Sequence, residues 1–209
     1  PYGLHKKQKL DAFIPAKTDS SRSVVVLIHG GSWKKGDKLM LRSIQRMLLK
    51  NGVSSININY RLMNKKVKLG QQQQDIAASL QTADSLFKNS FSGKYILLGE
   101  SAGAHLALMY GYRNNQQVQK IISLSGPTNL SDKAYISSFK SLLAIPIINK
   151  LTSSRYKKGG DLPDAYKACS PLYNISNVRT LMVQGGADFY VNKRHAYLLD
   201  SALEQRNIQ

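Results

Sequence analysis

Two glycines bracket a serine in Leu97-Leu98-Gly99-Glu100-Ser101-Ala102-Gly103-Ala104-His105, a G-x-S-x-G pattern whose residue types suit nucleophilic chemistry. Glycine belongs two places either side of Ser101 because the turn is so sharp that a side chain there would collide with its backbone. Such a turn lifts the hydroxyl clear of a sheet, where its oxygen can attack a carbonyl carbon. A second cluster, His29-Gly30-Gly31-Ser32-Trp33, offers the complementary chemistry. Two successive glycines at a strand end let backbone N–H groups converge on a concavity that can hold a developing oxyanion. A third stretch, Gly185-Gly186-Ala187-Asp188, places a carboxylate after an apolar run. The pentapeptide alone also suits a Gly/Ser turn in any parallel α/β protein, so the argument rests on all three clusters and on what holds them.

Each cluster needs a strand behind it, and each has one. Tyr95-Ile96-Leu97-Leu98 leads into the serine turn, and Ala102, Leu106, Met109 and Tyr110 then form a helical stripe. Val24-Val25-Val26-Leu27-Ile28 is a continuous run, the pattern of a strand covered on both faces of a parallel sheet. Thr180-Leu181-Met182-Val183-Gln184 reads as a further buried strand, which brings Asp188 to the same C-terminal sheet edge as Ser101. Catalytic groups collect along that edge in open α/β sheets. Between these runs, the segment ending at Pro15 suits an edge strand. A helix capped by Asp37 puts Leu41, Ile44 and Leu48 on one face and closes at Asn51-Gly52. Ile56 to Tyr60 alternates as a strand. Gln71 to Gln74 is a loop or helix start before Ile76, Leu80, Ala83 and Phe87 fall into helical register, Lys120 to Ser125 is another strand, and Asn192 to Arg206 a last helix.

This alternation predicts an α/β fold in a single domain, 1–209, with an open, mainly parallel, doubly wound sheet. Residues 128–164 break the rhythm. Their apolar segment Leu142-Leu143-Ala144-Ile145-Pro146-Ile147-Ile148 suits a small cap insertion that shapes a pocket and excludes water. A core helix broken at Pro146, or a patch resting on a membrane or greasy substrate, would read the same way.

Composition bounds the partners. No apolar run approaches the roughly 20 residues of a membrane-spanning helix. Lysine and arginine exceed aspartate and glutamate by 30 − 12, a formal net charge of +18, which favours encounters with anionic surfaces. The basic residues are scattered as short pairs and triplets without aromatic interleaving, so the pattern does not suit specific nucleic-acid binding. The lone Cys169 demands no oxidising compartment. A chain starting at Pro1 fits removal of a leader, hence an extracytoplasmic setting, and equally fits trimming.

In that order, the His-Gly-Gly-Ser-Trp, Gly-Glu-Ser-Ala-Gly-Ala-His and Gly-Gly-Ala-Asp strand ends resemble the α/β-hydrolase fold over nearly the whole chain. Within it the sequence looks most like the esterases and lipases with an HGG-type oxyanion loop, a branch that includes feruloyl and acetyl-xylan esterases, kynurenine formamidase-like enzymes and prenylcysteine methylesterases. The resemblance implies a serine carboxylesterase acting on a small-molecule or polymer-linked ester. In it Ser101 is the nucleophile, Asp188 the acid that orients a histidine, and the N–H groups of Gly31, Ser32 and Ala102 the oxyanion hole. It implies no metal and no organic cofactor. His29 would brace the oxyanion loop, and His105 would pack under the site.

The base is the missing piece. The fold's chain order puts the histidine beyond one further helix and strand, and the sequence stops where that last strand would begin. Three explanations stay open: a chain truncated relative to the natural protein; a genuine departure, with His195, at the start of the last helix, as substitute base or with the site degenerate; and a basic binding module for an anionic partner that merely inherits the catalytic look.

Overall fold

A computed structural model describes residues 1–17, 23–88, 91–137, 141–157, 159–186, 188 and 190–208, without the side chains of 141 and 142. Ala187 and the side chain of Leu142, both drawn on above, lie outside the described residues. Six strands form one sheet: β1 (Leu10–Phe13), β2 (Val24–Ile28), β3 (Ser55–Ile58), β4 (Tyr95–Glu100), β5 (Val118–Leu124) and β6 (Arg179–Val183). Their order is β1-β3-β2-β4-β5-β6, with β1 antiparallel to β3 and every other pairing parallel. The fold class read from the sequence is therefore the observed one, and the segment before Pro15 is the antiparallel edge strand.

The helices follow from where the apolar faces must go. All five residues of β2 are buried, since it lies between β3 and β4 with helices above and below. On one face α1 (Arg42–Lys50) covers Val25, Leu27 and Leu98, entered through a 3-10 turn (Lys38–Leu41) that Asp37 caps by accepting from the Leu39 N–H at 3.1 Å. On the other, α2 (Leu69–Leu86), α3 (Ala102–Arg113) and α7 (Arg194–Glu204) enclose the larger core around Ile56, Ile76, Leu97, Leu106 and Leu199. Gln71 to Gln74 lie within α2, and there Gln72 is buried.

Asp75 on α2 is fully buried and holds Arg61, which lies just past β3, at 2.7 Å from Nη2 and 2.8 Å from Nε. The same carboxylate accepts from the Arg61 backbone N–H at 2.7 Å and from Gln8 at 2.8 Å. A buried charge satisfied on both oxygens ties the loop after β3 to the helix that follows it.

The run Thr180 to Gln184 forms β6 as expected, but not as a buried strand. β6 is the outer strand on its side of the sheet, and Arg179, Leu181 and Val183 face solvent; Leu181 is 53% and Val183 52% exposed. Their parallel neighbours Ile122 and Leu124 on β5 are partly exposed too, so an apolar strip lies uncovered on the face that α1 shields farther along the sheet. Residues 128–164 add α4 (Lys133–Ser137) and α5 (Ser141–Thr152), and α6 (Asp164–Ala168) follows. Pro146 does not break α5, which buries Ile145, Ile148 and Leu151 and turns Leu143 outward.

Candidate active site

Strand β4 delivers Ser101 to the tip of a turn. The Ser101 N–H still pairs with the Leu124 carbonyl at 2.8 Å, continuing the ladder, while its own carbonyl accepts from His105 at 3.1 Å and opens α3. Changing from strand to helix within one residue forces φ 52° and ψ −117°, a left-handed conformation that costs a non-glycine residue of order 1–3 kcal/mol. The flanking glycines are steric necessities. A Cβ on Gly99 would lie 2.3 Å from the Gly103 carbonyl oxygen, and one on Gly103 only 2.0 Å from that of Ile28 and 2.5 Å from that of His29. Those partners are backbone atoms of the sheet and helix, so they cannot swing aside. Gly103→Ala is accordingly expected to destabilise the fold by about 3 kcal/mol, measured as a lowered urea midpoint; an unchanged midpoint would show that the elbow is not packed this tightly.

Strand β2 delivers the second cluster beside the first, its Ile28 paired with Gly99. Gly31 at φ 114° is followed by Ser32 at φ 51° and Trp33 at φ 61°, two non-glycine residues in succession in left-handed backbone. Surrounding contacts hold this strain. The Trp33 carbonyl accepts from the Met63 N–H at 2.8 Å and from Gln72 at 2.8 Å, and its buried indole N–H donates to His105 Nδ1 at 3.2 Å. The Gly31 carbonyl accepts from the N–H groups of both Lys34 and Lys35. Gly30 leaves room for Glu100, whose Oε2 would stand 2.5 Å from a Cβ there. Among the described residues no hydrogen bond uses the N–H groups of Gly31, Ser32 or Ala102.

Two buried histidines frame this loop. His29 donates through Nδ1 to the Gly30 carbonyl at 2.7 Å and stacks on Tyr60 at 4.4 Å, while the Tyr60 hydroxyl donates to the His29 carbonyl at 2.9 Å. Burial lowers its pKa below the usual imidazole value, against the raising effect of the Gly30 bond. His105 accepts from Trp33 at Nδ1 and donates from Nε2 to the Cys169 carbonyl at 2.8 Å, which fixes its neutral tautomer. Complete burial depresses its pKa to about 4. His105 thus ties the strained loop to the chain just after α6. The sequence could have shown its position, one turn beyond Ser101, but neither of its partners; Trp33 and Cys169 are far away along the chain.

Asp188 lies in the turn after β6 and is partly exposed, its Oδ1 accepting from the N–H groups of Tyr190 and Val191, each at 2.9 Å. No histidine among the described residues pairs with it. His195, the substitute base considered above, is not a surface residue at a helix start but 4% exposed. Its Nδ1 accepts from the backbone N–H groups of Thr128 and Asn129, each at 3.2 Å, and its carbonyl accepts from the Thr128 hydroxyl at 2.6 Å. A ring accepting two N–H bonds at Nδ1 carries its proton on Nε2, so it has no free lone pair with which to take a proton from Ser101. Burial also lowers its pKa to about 4, with the Asp132 carboxylate opposing the shift. In this arrangement His195 anchors the chain leaving β5. His5 is exposed, in the N-terminal segment.

A profile of the BD-FAE family matches residues 10–203. A probable isoprenylcysteine alpha-carbonyl methylesterase of Arabidopsis thaliana is 28% identical over 111 residues, which is 51% of this chain and 25% of that protein, so the match covers about a quarter of that relative's length. Among solved structures, esterase B from Lactobacillus rhamnosis superposes with a TM-score of 0.80 at 22% identity, covering 100% of this chain and 70% of that one. A bifunctional GH43-CE protein of Bacteroides eggerthii gives 0.82 at 21% identity, over 99% of this chain and 30% of its own. Thermogutta terrifontis esterase 2, phosphonylated by sarin, gives 0.76 at 19%, over 98% and 80%. At these identities the structural likeness is one of fold.

Proposed function

The chain belongs to the BD-FAE family of α/β-hydrolase esterases, and on that premise we propose that it cleaves carboxylic esters through an acyl-enzyme on Ser101. The observation that carries this reading is the pairing of two strained turns at one sheet edge: Ser101 on its elbow, beside a loop whose Gly31 and Ser32 N–H groups, with that of Ala102, are unclaimed. Strain maintained by so many contacts points to a geometry kept for chemistry.

In this mechanism Ser101 Oγ attacks the ester carbonyl and gives up its proton to a base as the C–O bond forms. The N–H groups of Gly31, Ser32 and Ala102 stabilise the resulting oxyanion, each donor contributing about 3 kcal/mol to the transition state. Collapse expels the alcohol, which takes the proton, and water then attacks the acyl-enzyme in the reverse sense to release the acid and restore Ser101. Asp188 orients the base. On this reading neither His105 nor His195 is that base, because the lone-pair nitrogen of each ring already accepts N–H bonds. Residues 128–164 serve as a cap over the substrate.

A fluorophosphonate probe tests the assignment on the protein as its gene encodes it. Covalent labelling mapped by mass spectrometry to Ser101 is the expected result. Labelling at another serine, or none, would remove Ser101 from the role.

A further inference from the structure

An open cleft of about 650 Å³ lies between the start of α2 and the end of α5. Four cationic side chains from two separate parts of the chain line it: Lys68 from one wall, Lys150, Arg155 and Lys157 from the other, with no carboxylate in its lining. Among the described residues none of the four takes part in an ion pair. Unpaired cations are common in a chain with 30 lysines and arginines against 12 carboxylates, so it is their gathering in one concavity that sets these four apart. Like charges gathered in a concavity repel one another, and low-dielectric walls concentrate their field on whatever enters.

The placement of Lys68 adds to the imbalance. It occupies the N-cap of α2, an 18-residue helix with no acidic residue in its first turn. A cationic residue thus stands at the positive end of the helix dipole, where an anion is favoured. The opposite wall is rigid. Asn149 Oδ1 accepts from the Tyr156 N–H at 2.8 Å and the Tyr166 hydroxyl at 3.0 Å, and its Nδ2 donates to the Tyr156 carbonyl at 2.8 Å. Tyr156 is 8% exposed and meets the Tyr166 ring edge-on at 5.8 Å, so its neighbours Arg155 and Lys157 flank an anchored residue. The backbone beside Tyr156 is thus held in place, and the ordering cost of a ligand falls on the exposed side chains of Lys150, Arg155 and Lys157.

We propose that this cleft is a binding site for a polyvalent oxyanion, either clustered carboxylates on an acidic sugar chain or a free polyphosphate. All of its lining but Lys68 lies within residues 128–164, the segment read above as a cap, and binding there needs neither the base nor the nucleophile.

Isothermal titration of the protein as its gene encodes it with trigalacturonate, inorganic pyrophosphate and neutral maltotriose at low ionic strength tests it. At least one anion is expected to bind and maltotriose not to; trigalacturonate alone would identify the acidic sugar chain, pyrophosphate alone the free polyphosphate, and both a site that reads charge. The double variant Arg155→Gln/Lys157→Gln is expected to weaken the bound anion about tenfold. A second double variant, Lys50→Gln/Lys94→Gln, removes the same charge from the last residue of α1 and the residue before β4, and is expected to leave binding within about twofold. No binding by either anion, equal binding of maltotriose, or equal weakening by the two double variants would overturn the proposal, the last by assigning the affinity to net charge alone. Circular dichroism of both variants confirms that the fold is kept.

Discussion

Ser101→Ala in the protein as its gene encodes it is expected to lower kcat/KM for p-nitrophenyl acetate by about 10⁴-fold or more, on the order of 5 kcal/mol of transition-state stabilisation. The size follows from what the substitution removes. The N–H donors of Gly31, Ser32 and Ala102 are backbone groups and survive it, so the residual rate is what the oxyanion loop gives to direct attack by water. The substitution is also clean. Alanine has the same Cβ as serine and meets the same left-handed backbone at φ 52°, so the elbow is no more strained than before and the thermal midpoint should hardly move. Ser32→Ala is the internal comparison: if Ser32 contributes only its N–H, removing its hydroxyl leaves kcat/KM within a few-fold. An active Ser101→Ala enzyme would sink the acyl-enzyme reading, and a Ser32→Ala enzyme as dead as Ser101→Ala would sink the backbone assignment of the oxyanion hole.

The residues that made the fold legible are those whose chemistry is local. Val24 to Ile28 reads as a central strand because every side chain is apolar, and its neighbours bury it completely. Gly99, Ser101 and Gly103 read as an elbow because the steric demand falls within five residues. What could not be read depends on tertiary neighbours. Leu181 and Val183 have the side chains of a buried strand, but only the sheet order reveals that nothing among the described residues lies beyond β6. Asn192 to Arg206 predicts a helix without saying which way it docks, so His195 looks like a surface histidine until Thr128 and Asn129 are brought against its ring. Cys169 matters through its carbonyl, which no side-chain reading of a lone thiol would suggest.

Lowering the pH from 7 toward 4.5 is expected to destabilise the fold steeply, with the loss concentrated below pH 6.5. The cause is three histidines buried in their neutral form: His105 and His195 with pKa values near 4, and His29 lowered in the same direction by the same burial. Each has a folded-state pKa below its unfolded value of about 6.5. Between the two values the unfolded chain binds a proton that the folded chain refuses, so stability rises with pH across that window and falls as pH drops through it. Each fully shifted histidine contributes roughly 1 kcal/mol per pH unit there, and two of them suffice to consume much of a typical 5–15 kcal/mol stability before pH 4. Asp37 is held below its usual value despite burial, by hydrogen bonds from Asn59 and the Leu39 N–H; its contribution is lost only below about pH 3.8 and does not blur this window. Urea midpoints recorded from pH 7.5 to 4.5 should decline with an uptake of about two protons on unfolding near pH 5. His105→Gln should lose stability at pH 7 yet show a shallower decline, with one fewer proton taken up; a flat profile in the parent protein would mean that these rings are already charged in the folded state. The same titration bears on the site, because a protonated His105 Nδ1 can no longer accept from Trp33. Activity lost in parallel with the Trp33 fluorescence change would then report loosening of the oxyanion loop, whereas activity lost at a higher pH, with Trp33 undisturbed, would report titration of the catalytic base itself.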